Sequence, residues 1–166
     1  MHKRLKAEIF VFTVITILIA LVQEPSMTSA SETSGRIKIS GLVNRPLNLT
    51  YADLLSFPMI SEVTTLECVD RSWKVTFNWT GVSLFHLLTL AEIKPEAYDV
   101  VFRAPNDYSS SVNITEALKP TTILALIANG TLLSEITNRA GGFRVVVPCK
   151  WGYKWVRDIE EIEVVD

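Results

Sequence analysis

Residues 1–30 constrain this chain most, because their composition differs from that of everything after them. Lys3, Arg4 and Lys6 give a basic start, and an apolar run then extends over residues 9–22. That run of about 14 residues is short for a bilayer-spanning helix, which needs roughly 20. A basic start, a short apolar run and small residues near Ala30 are typical of a secretory signal cleaved after that alanine. The pattern therefore predicts export of the residues that follow.

An uncleaved membrane anchor is the alternative interpretation of the same segment, since its cleavage site is loosely defined. Either interpretation predicts that residues 31–166 lie outside the cytoplasm, secreted or held at the membrane by the N-terminal segment. Residues 31–35 form a polar linker, and residues 36–166 are short enough to form one domain. A formal net charge of −2 for the chain gives no electrostatic reason to expect nucleic acid as a partner.

Short segments rich in alternating or β-branched residues predict a domain dominated by strands. The predicted strands are residues 36–40, 63–69, 73–79, 98–102, 122–128, 131–133, 144–147 and 159–165. Short helices are predicted from Thr50 up to Pro58 and over residues 83–91. A helical turn is predicted at residues 115–118, a loop at 106–111 and a type I′ turn at Asn129-Gly130. Because strands and helices mix without a regular βαβ alternation, we predict an α+β fold: a compact mixed sheet, barrel-like, with short helices.

The candidates for chemistry narrow to the cysteines by elimination. His86 is the only histidine after the N-terminal segment, and helical patterning predicts it on a polar, solvated face. A zinc site with several histidines is therefore excluded, and no GxGxxG or Walker-type loop occurs in the sequence. Cys68 and Cys149 remain. In an oxidising compartment they could form a disulfide, or Cys68 could bind a soft metal as a thiolate, favoured by the basic residues of segment 150–157.

A series of motifs in a fixed order carries a family resemblance. The motifs are Thr65-Leu66-Glu67-Cys68, Trp79-Thr80-Gly81-Val82 with Leu84, Leu87 and Leu88, Val100-Val101-Phe102, Tyr108-Ser109, Leu124-Ala125 before Asn129-Gly130, Arg144-Val145-Val146-Val147-Pro148, and Gly152-Tyr153-Lys154. Over residues 63–166 this order resembles the molybdopterin-binding domain of the sulfite oxidase family.

The resemblance implies the fold of that domain, a molybdopterin-dependent oxidoreductase and a molybdenum–molybdopterin cofactor. Cys68 takes the family's metal-ligand position and is therefore the implied catalytic residue. The implied cofactor-binding residues are Cys68, Tyr108, Arg144, Lys150, Gly152 and Lys154. A basic loop suits the pterin, which carries a phosphate. The implied reaction moves an oxygen atom to or from a small oxyanion or a sulfoxide-like substrate, with an extracytoplasmic or membrane redox partner.

Two other interpretations stay open from the sequence alone. The N-terminus lacks a twin-arginine pair, the export signal of proteins that cross the membrane already folded around a cofactor. An exported accessory domain that keeps the fold without the cofactor is therefore an alternative, and it predicts a Cys68–Cys149 disulfide. The third interpretation is a small-ligand receptor whose apolar cleft uses Trp73, Trp151 and Tyr153, although core packing is the more common role of such aromatics.

Overall fold

The computed structural model describes residues 35–137 and 142–166 of the chain. The predicted signal or anchor at residues 1–30, and all but the last residue of the predicted linker, lie outside the described residues. Both therefore stay predictions. Within the described ranges, no helix combines the length and the apolar character that crossing a membrane requires.

Short strands dominate the described residues. In chain order they are β1 (Arg36–Gly41), β2 (Leu47–Thr50), β3 (Met59–Glu67), β4 (Lys74–Ser83), β5 (Asp99–Arg103), β6 (Ser109–Asn113), β7 (Ile123–Ala128), β8 (Thr131–Leu132), β9 (Arg144–Val146) and β10 (Glu161–Val165). The helices between them are α1 (Tyr51–Ser56), α2 (Leu84–Leu90), α3 (Ile114–Ala117) and α4 (Leu133–Thr137), and Gly152–Lys154 form a 3₁₀ turn.

The strands form two five-stranded sheets. The first has the order β2-β1-β10-β5-β6, in which β1 and β10 run parallel with Ile39 opposite Ile162, and the other neighbouring strands pair antiparallel. The second has the order β3-β4-β7, and the other edge of β7 pairs with β8 near Ile127 and with β9 near Leu124. One hydrophobic cluster contains buried residues of both sheets, so the domain has a shared core.

Local sequence signals explain how several elements begin and turn. Thr50 caps α1 as predicted, because its hydroxyl accepts a hydrogen bond from the Asp53 amide and the Asp53 carboxylate accepts one from the Thr50 amide. Asn129 and Gly130 adopt φ values of 48° and 83°, the left-handed pair that a type I′ turn requires. The predicted hairpin between β7 and β8 is therefore confirmed.

The α+β fold with a mixed sheet and short helices is confirmed, although several predicted boundaries are wrong. The predicted loop at 106–111 contains the start of β6, whose serine-rich sequence has little strand propensity but pairs with β5 along its whole length. Strand β2 was not predicted, and Leu133 belongs to α4 instead of β8. Strand β3 begins before the predicted range 63–69 and ends before Cys68, whereas β4 runs past the end of the predicted range 73–79. Pairing with neighbouring strands decides these boundaries, and the amino-acid pattern within a segment does not indicate which strands will pair.

Candidate cofactor site

Cys68 lies directly after β3, in the turn that joins this strand to β4. Its amide donates a hydrogen bond to the Trp73 carbonyl at 3.1 Å, and its carbonyl accepts one from the Arg71 amide at 2.9 Å. Arg71 completes the turn in the left-handed region, with φ of 58°. The Cys68 side chain is partly exposed and unpaired. The turn therefore presents a free thiol at the end of a rigid two-stranded hairpin.

The carboxylate of Asp70 stabilises the same turn. Its Oδ1 accepts a hydrogen bond from the Ser72 amide at 2.9 Å. Hydrogen bonds from the Ser72 side chain, and next from the Cys68 thiol, hold the pKa of Asp70 at about 2 instead of its ordinary 3.8. The carboxylate is therefore ionised at neutral pH and directed at the cysteine.

In the cofactor-free protein, Ser72→Ala should raise the pKa of Asp70 from about 2 part of the way toward 3.8, since the backbone amide remains a donor. A depressed carboxyl pKa stabilises the fold at pH values above the ordinary pKa, and this contribution is lost as the pH falls through about 2. A carbon-13 NMR titration of the Asp70 carboxyl measures the shift. Ser61→Ala, whose hydroxyl bonds Thr80 instead, is the matched control. An unchanged Asp70 pKa in Ser72→Ala would refute this description of the turn.

The loop after Pro148 packs directly against the end of β3. A Cβ atom added to Gly152 would lie 2.9 Å from the Glu67 carbonyl oxygen and 3.1 Å from Leu66 Cδ1, so only glycine permits this approach. On the Cys68 turn, the Arg71 guanidinium lies over the Trp151 ring at 5.8 Å from its centroid. The fold therefore brings the predicted loop and the Cys68 turn together.

A cavity of about 460 Å³ includes Gly152 of this loop in its lining. Its lining consists of Ala104, Pro105, Asn106, Tyr108, Arg144, Gly152, Trp155, Val156, Arg157 and Asp158. Three of the predicted site residues, Tyr108, Arg144 and Gly152, thus share one cavity. Cys68 is not part of the lining and lies one residue after the Glu67 backbone that Gly152 contacts.

Two arginines and one aspartate are the charged residues of the cavity lining, and Arg157 Nε lies 4.0 Å from a carboxylate oxygen of Asp158. Arg144 and Arg157 are paired in an antiparallel bridge, which places residues from separate segments next to each other. Burial first, and then the like charge of Arg157, lower the pKa of Arg144, whereas the carboxylate of Asp158 opposes the shift. The Nε atom of Arg144 is buried and has no hydrogen-bond partner. Such an atom in a charged cavity is a donor available to an anionic ligand.

Tyr108 and Lys154 fix the loop to the first sheet. The Tyr108 hydroxyl donates a hydrogen bond to the Tyr153 carbonyl at 2.7 Å. The Lys154 ammonium donates one to the Ser111 carbonyl at 2.6 Å. Lys150 instead lies 3.6 Å from a carboxylate oxygen of Glu116. Neither lysine lines the cavity, so the prediction that they bind the cofactor stays a prediction.

Two of the three aromatic residues predicted to line an apolar cleft are not core residues. Trp73 is 50% exposed and Tyr153 is 49% exposed, so the expectation of core packing is wrong for both. The bulkiest core residues are instead Trp79 and Trp155. His86 is also not simply solvated, because it is half-buried with its ring edge-on to Phe57 at 5.2 Å.

The two cysteines are unpaired in this structure, so the Cys68–Cys149 disulfide of the accessory-domain interpretation is not formed. Cys149 is exposed and has φ of 65° in the turn after Pro148. Sequence reasoning also left Trp155, Val156 and Asp158 out of the site. The basic character of Arg157 was visible, but its position on the cavity depends on the bridge to Arg144.

The residues present fit a molybdopterin. The cavity offers two cationic side chains and an unpartnered buried donor to a phosphate-bearing ligand. A free thiol follows Glu67, whose backbone the lining residue Gly152 approaches closely. A thiolate is a soft ligand suited to such a metal. Together with the two-sheet α+β fold, this site is suited to a domain that binds a phosphate-bearing cofactor.

Comparison with known proteins identifies the family. The model of the oxidoreductase molybdopterin binding domain matches residues 25–166, and the chain belongs to this family. The resemblance to the sulfite oxidase family is thereby confirmed, and so is its molybdenum–molybdopterin cofactor at the level of the family.

Individual relatives agree with the family assignment. The chain is 32% identical over 149 residues to the protein-methionine-sulfoxide reductase catalytic subunit MsrP of Gluconobacter oxydans, covering 78% of this chain and 46% of the relative. It is 30% identical over 146 residues to the corresponding subunit of Campylobacter jejuni, covering 77% and 48%. A crystal structure of the sulfane dehydrogenase SoxCD from Paracoccus pantotrophus matches with a TM-score of 0.72 and 26% identity, covering 82% of this chain and 39% of that one. The chain thus spans about half the length of the curated relatives it matches.

Proposed function

We propose that this chain is a molybdopterin-dependent oxidoreductase domain in which the Cys68 thiolate binds molybdenum. The reaction is transfer of an oxygen atom to or from a sulfoxide-like or small oxyanion substrate. The observation that carries the proposal is the juxtaposition of the free Cys68 thiol with the arginine-lined cavity, across the close contact between Gly152 and Glu67. When bound, the cofactor supplies a redox-active metal, and the protein positions and tunes it.

Each residue of the site has a distinct task in this proposal. Arg144 and Arg157 bind the anionic part of the pterin, because a guanidinium offers several donors in one plane to a phosphate. Gly152 keeps the loop against the end of β3, and the Tyr108 hydroxyl holds the Tyr153 backbone in place. Asp70 accepts a hydrogen bond from the cysteine side chain and thereby orients it before the metal binds.

The names of the relatives support a sulfur-centred substrate. MsrP is described as a protein-methionine-sulfoxide reductase, and SoxCD is described as a sulfane dehydrogenase. A sulfoxide-like compound is therefore the first substrate to test, and electrons come from an extracytoplasmic or membrane redox partner.

The extracytoplasmic location rests on the basic and apolar N-terminal segment, which is cleaved or anchors the domain. The intact mass and the membrane partition of the native protein test it, and an untruncated protein in the cytosol would refute it.

Protein purified from its native source should contain close to one molybdenum atom and one pterin per chain. It should reduce an organic sulfoxide when a reduced viologen dye supplies electrons. Metal analysis by mass spectrometry, pterin fluorescence after release and oxidation of the dye are the three measurements. Folded native protein that contains neither metal nor pterin would overturn the proposed function.

A further inference from the structure

Arg144 is half-buried, and its cationic side chain packs against an aromatic ring. Its guanidinium carbon lies 5.6 Å from the centroid of the Trp79 ring, over the face of the indole. The backbone on either side is fixed, since Arg144 pairs with Ala125 of β7 and forms the bridge to Arg157. The aromatic face thus stabilises the positive charge from one side, while Nε keeps no hydrogen-bond partner.

Trp79 is itself held in a fixed orientation by other aromatic rings. It is only 1% exposed on β4, with the Phe77 ring tilted against it at 4.8 Å and the Trp155 ring edge-on at 6.1 Å. Trp155 lines the cavity and donates its indole N–H to the Lys150 carbonyl at 3.1 Å. The indole N–H of Trp79 is buried with no partner, so this tryptophan does not serve here as a donor. Trp79 therefore contributes to the site through its packing and through the face of its ring.

An aromatic face and a carboxylate stabilise an arginine in different ways. A carboxylate would pair with the N–H groups in the guanidinium plane and occupy them. A ring face attracts the charge from above the plane and leaves the in-plane donors available. For a residue that has to bind an anionic ligand, the second arrangement keeps the cation stable without neutralising its binding edge.

We propose that Trp79 is a positioning residue of the cavity: its indole face holds the Arg144 guanidinium so that the Nε edge stays unpaired and ready for a phosphate group. The identity of that ligand as the phosphate of molybdopterin rests on the proposed function. The positioning role concerns any phosphate-bearing ligand, and inorganic phosphate is therefore the probe.

The test compares Trp79→Phe, Trp79→Leu and the control Phe57→Leu in the full chain. Phe57 also packs against the hydrophobic core, with its ring edge-on to His86 at 5.2 Å, and it is not one of the two rings that pack on Trp79. The nitrogen-15 signal of Arg144 Nε is followed by NMR during titration with inorganic phosphate. We expect the dissociation constant to rise about tenfold in Trp79→Leu, about threefold in Trp79→Phe and negligibly in Phe57→Leu.

A double-mutant cycle with Arg144→Met separates positioning from general packing. If Trp79 acts through Arg144, Trp79→Leu should weaken phosphate binding no further once Arg144 is replaced. Three results would each overturn the proposal. The two substitutions could weaken phosphate binding additively, the Trp79 variants could bind phosphate as tightly as the wild type, or the wild-type chain could fail to bind phosphate at Arg144. If Trp79→Leu does not fold, Trp79→Phe carries the comparison.

The molybdenum and pterin content of the same variants separates this inference from the proposed function. Native wild-type protein without cofactor, combined with the expected phosphate series, would overturn the proposed function and leave the role of Trp79 supported. Wild-type protein that holds the cofactor, combined with unchanged phosphate affinity in both Trp79 variants, would overturn only the role of Trp79.

Discussion

Serine in place of Cys68 should leave only residual molybdenum on the chain while the domain stays folded. The thiolate is the metal ligand that the chain itself contributes in the proposed site, and a serine hydroxyl at neutral pH is neither ionised nor soft. Removing a hydrogen bond to a metal-binding side chain already lowers metal affinity or activity by about 10- to 100-fold. Removing the ligand itself should therefore lower them by more than about 100-fold. Molybdenum per chain and sulfoxide reduction are the two measurements.

The second cysteine of the chain provides the control for this substitution. Cys149 is exposed and unpaired on the neighbouring loop, so Cys149→Ser should retain both the metal and the activity. Because Cys68 is partly exposed in a turn, thermal unfolding should change little in either variant. Cys68→Ser protein that keeps its molybdenum, or equal loss in both variants, would contradict the assigned ligand.

Gly81→Ala should strongly destabilise the domain. A Cβ atom at this position would lie 2.0 Å from the Leu124 carbonyl oxygen and 2.6 Å from the Ala125 Cα atom. These atoms belong to β7, which pairs with β4 where the register slips between Thr80 and Gly81. Since the clash is with backbone, the strands must separate, and we expect a loss of at least about 3 kcal/mol in unfolding free energy.

Gly130→Ala is the matched control, because it adds the same methyl group without a clash. Nothing lies within 4 Å of a Cβ atom there, although φ is +83°. The left-handed conformation alone should cost about 1–2 kcal/mol. Chemical denaturation of the two variants measures both effects. A Gly81→Ala protein no less stable than Gly130→Ala would show that β4 and β7 do not approach so closely. Because Trp79 lies two residues before Gly81, the same substitution should also disturb the Arg144 side of the cavity.

Local signals were sufficient to predict the elements whose residues determine their own conformation. The Thr50 cap, the Asn129-Gly130 turn and the apolar face of α2 depend on neighbours within a few residues. Strand β6 could not be found in this way, because three serines gain their strand conformation only from pairing with β5.

The candidate site shows the same division between local and tertiary information. The motif order located Cys68, Arg144 and Gly152, and the structure brings them together around one loop. The partners of the lysines could not be predicted, because Glu116 and Ser111 come from distant elements. The family resemblance implied that Gly152 binds the cofactor, and the structure shows in addition that it lets the loop approach the Glu67 backbone.

X-ray absorption at the molybdenum edge of the cofactor-loaded protein tests the assignment of Cys68 as metal ligand most directly. The spectrum counts the sulfur atoms bound to the metal in wild-type protein, in Cys149→Ser and in any metal that Cys68→Ser retains. In wild-type protein and in Cys149→Ser, we expect one sulfur ligand in addition to those that the pterin supplies. In Cys68→Ser we expect this additional sulfur ligand to be absent. A wild-type spectrum that contains only the sulfur atoms of the pterin would contradict the assignment.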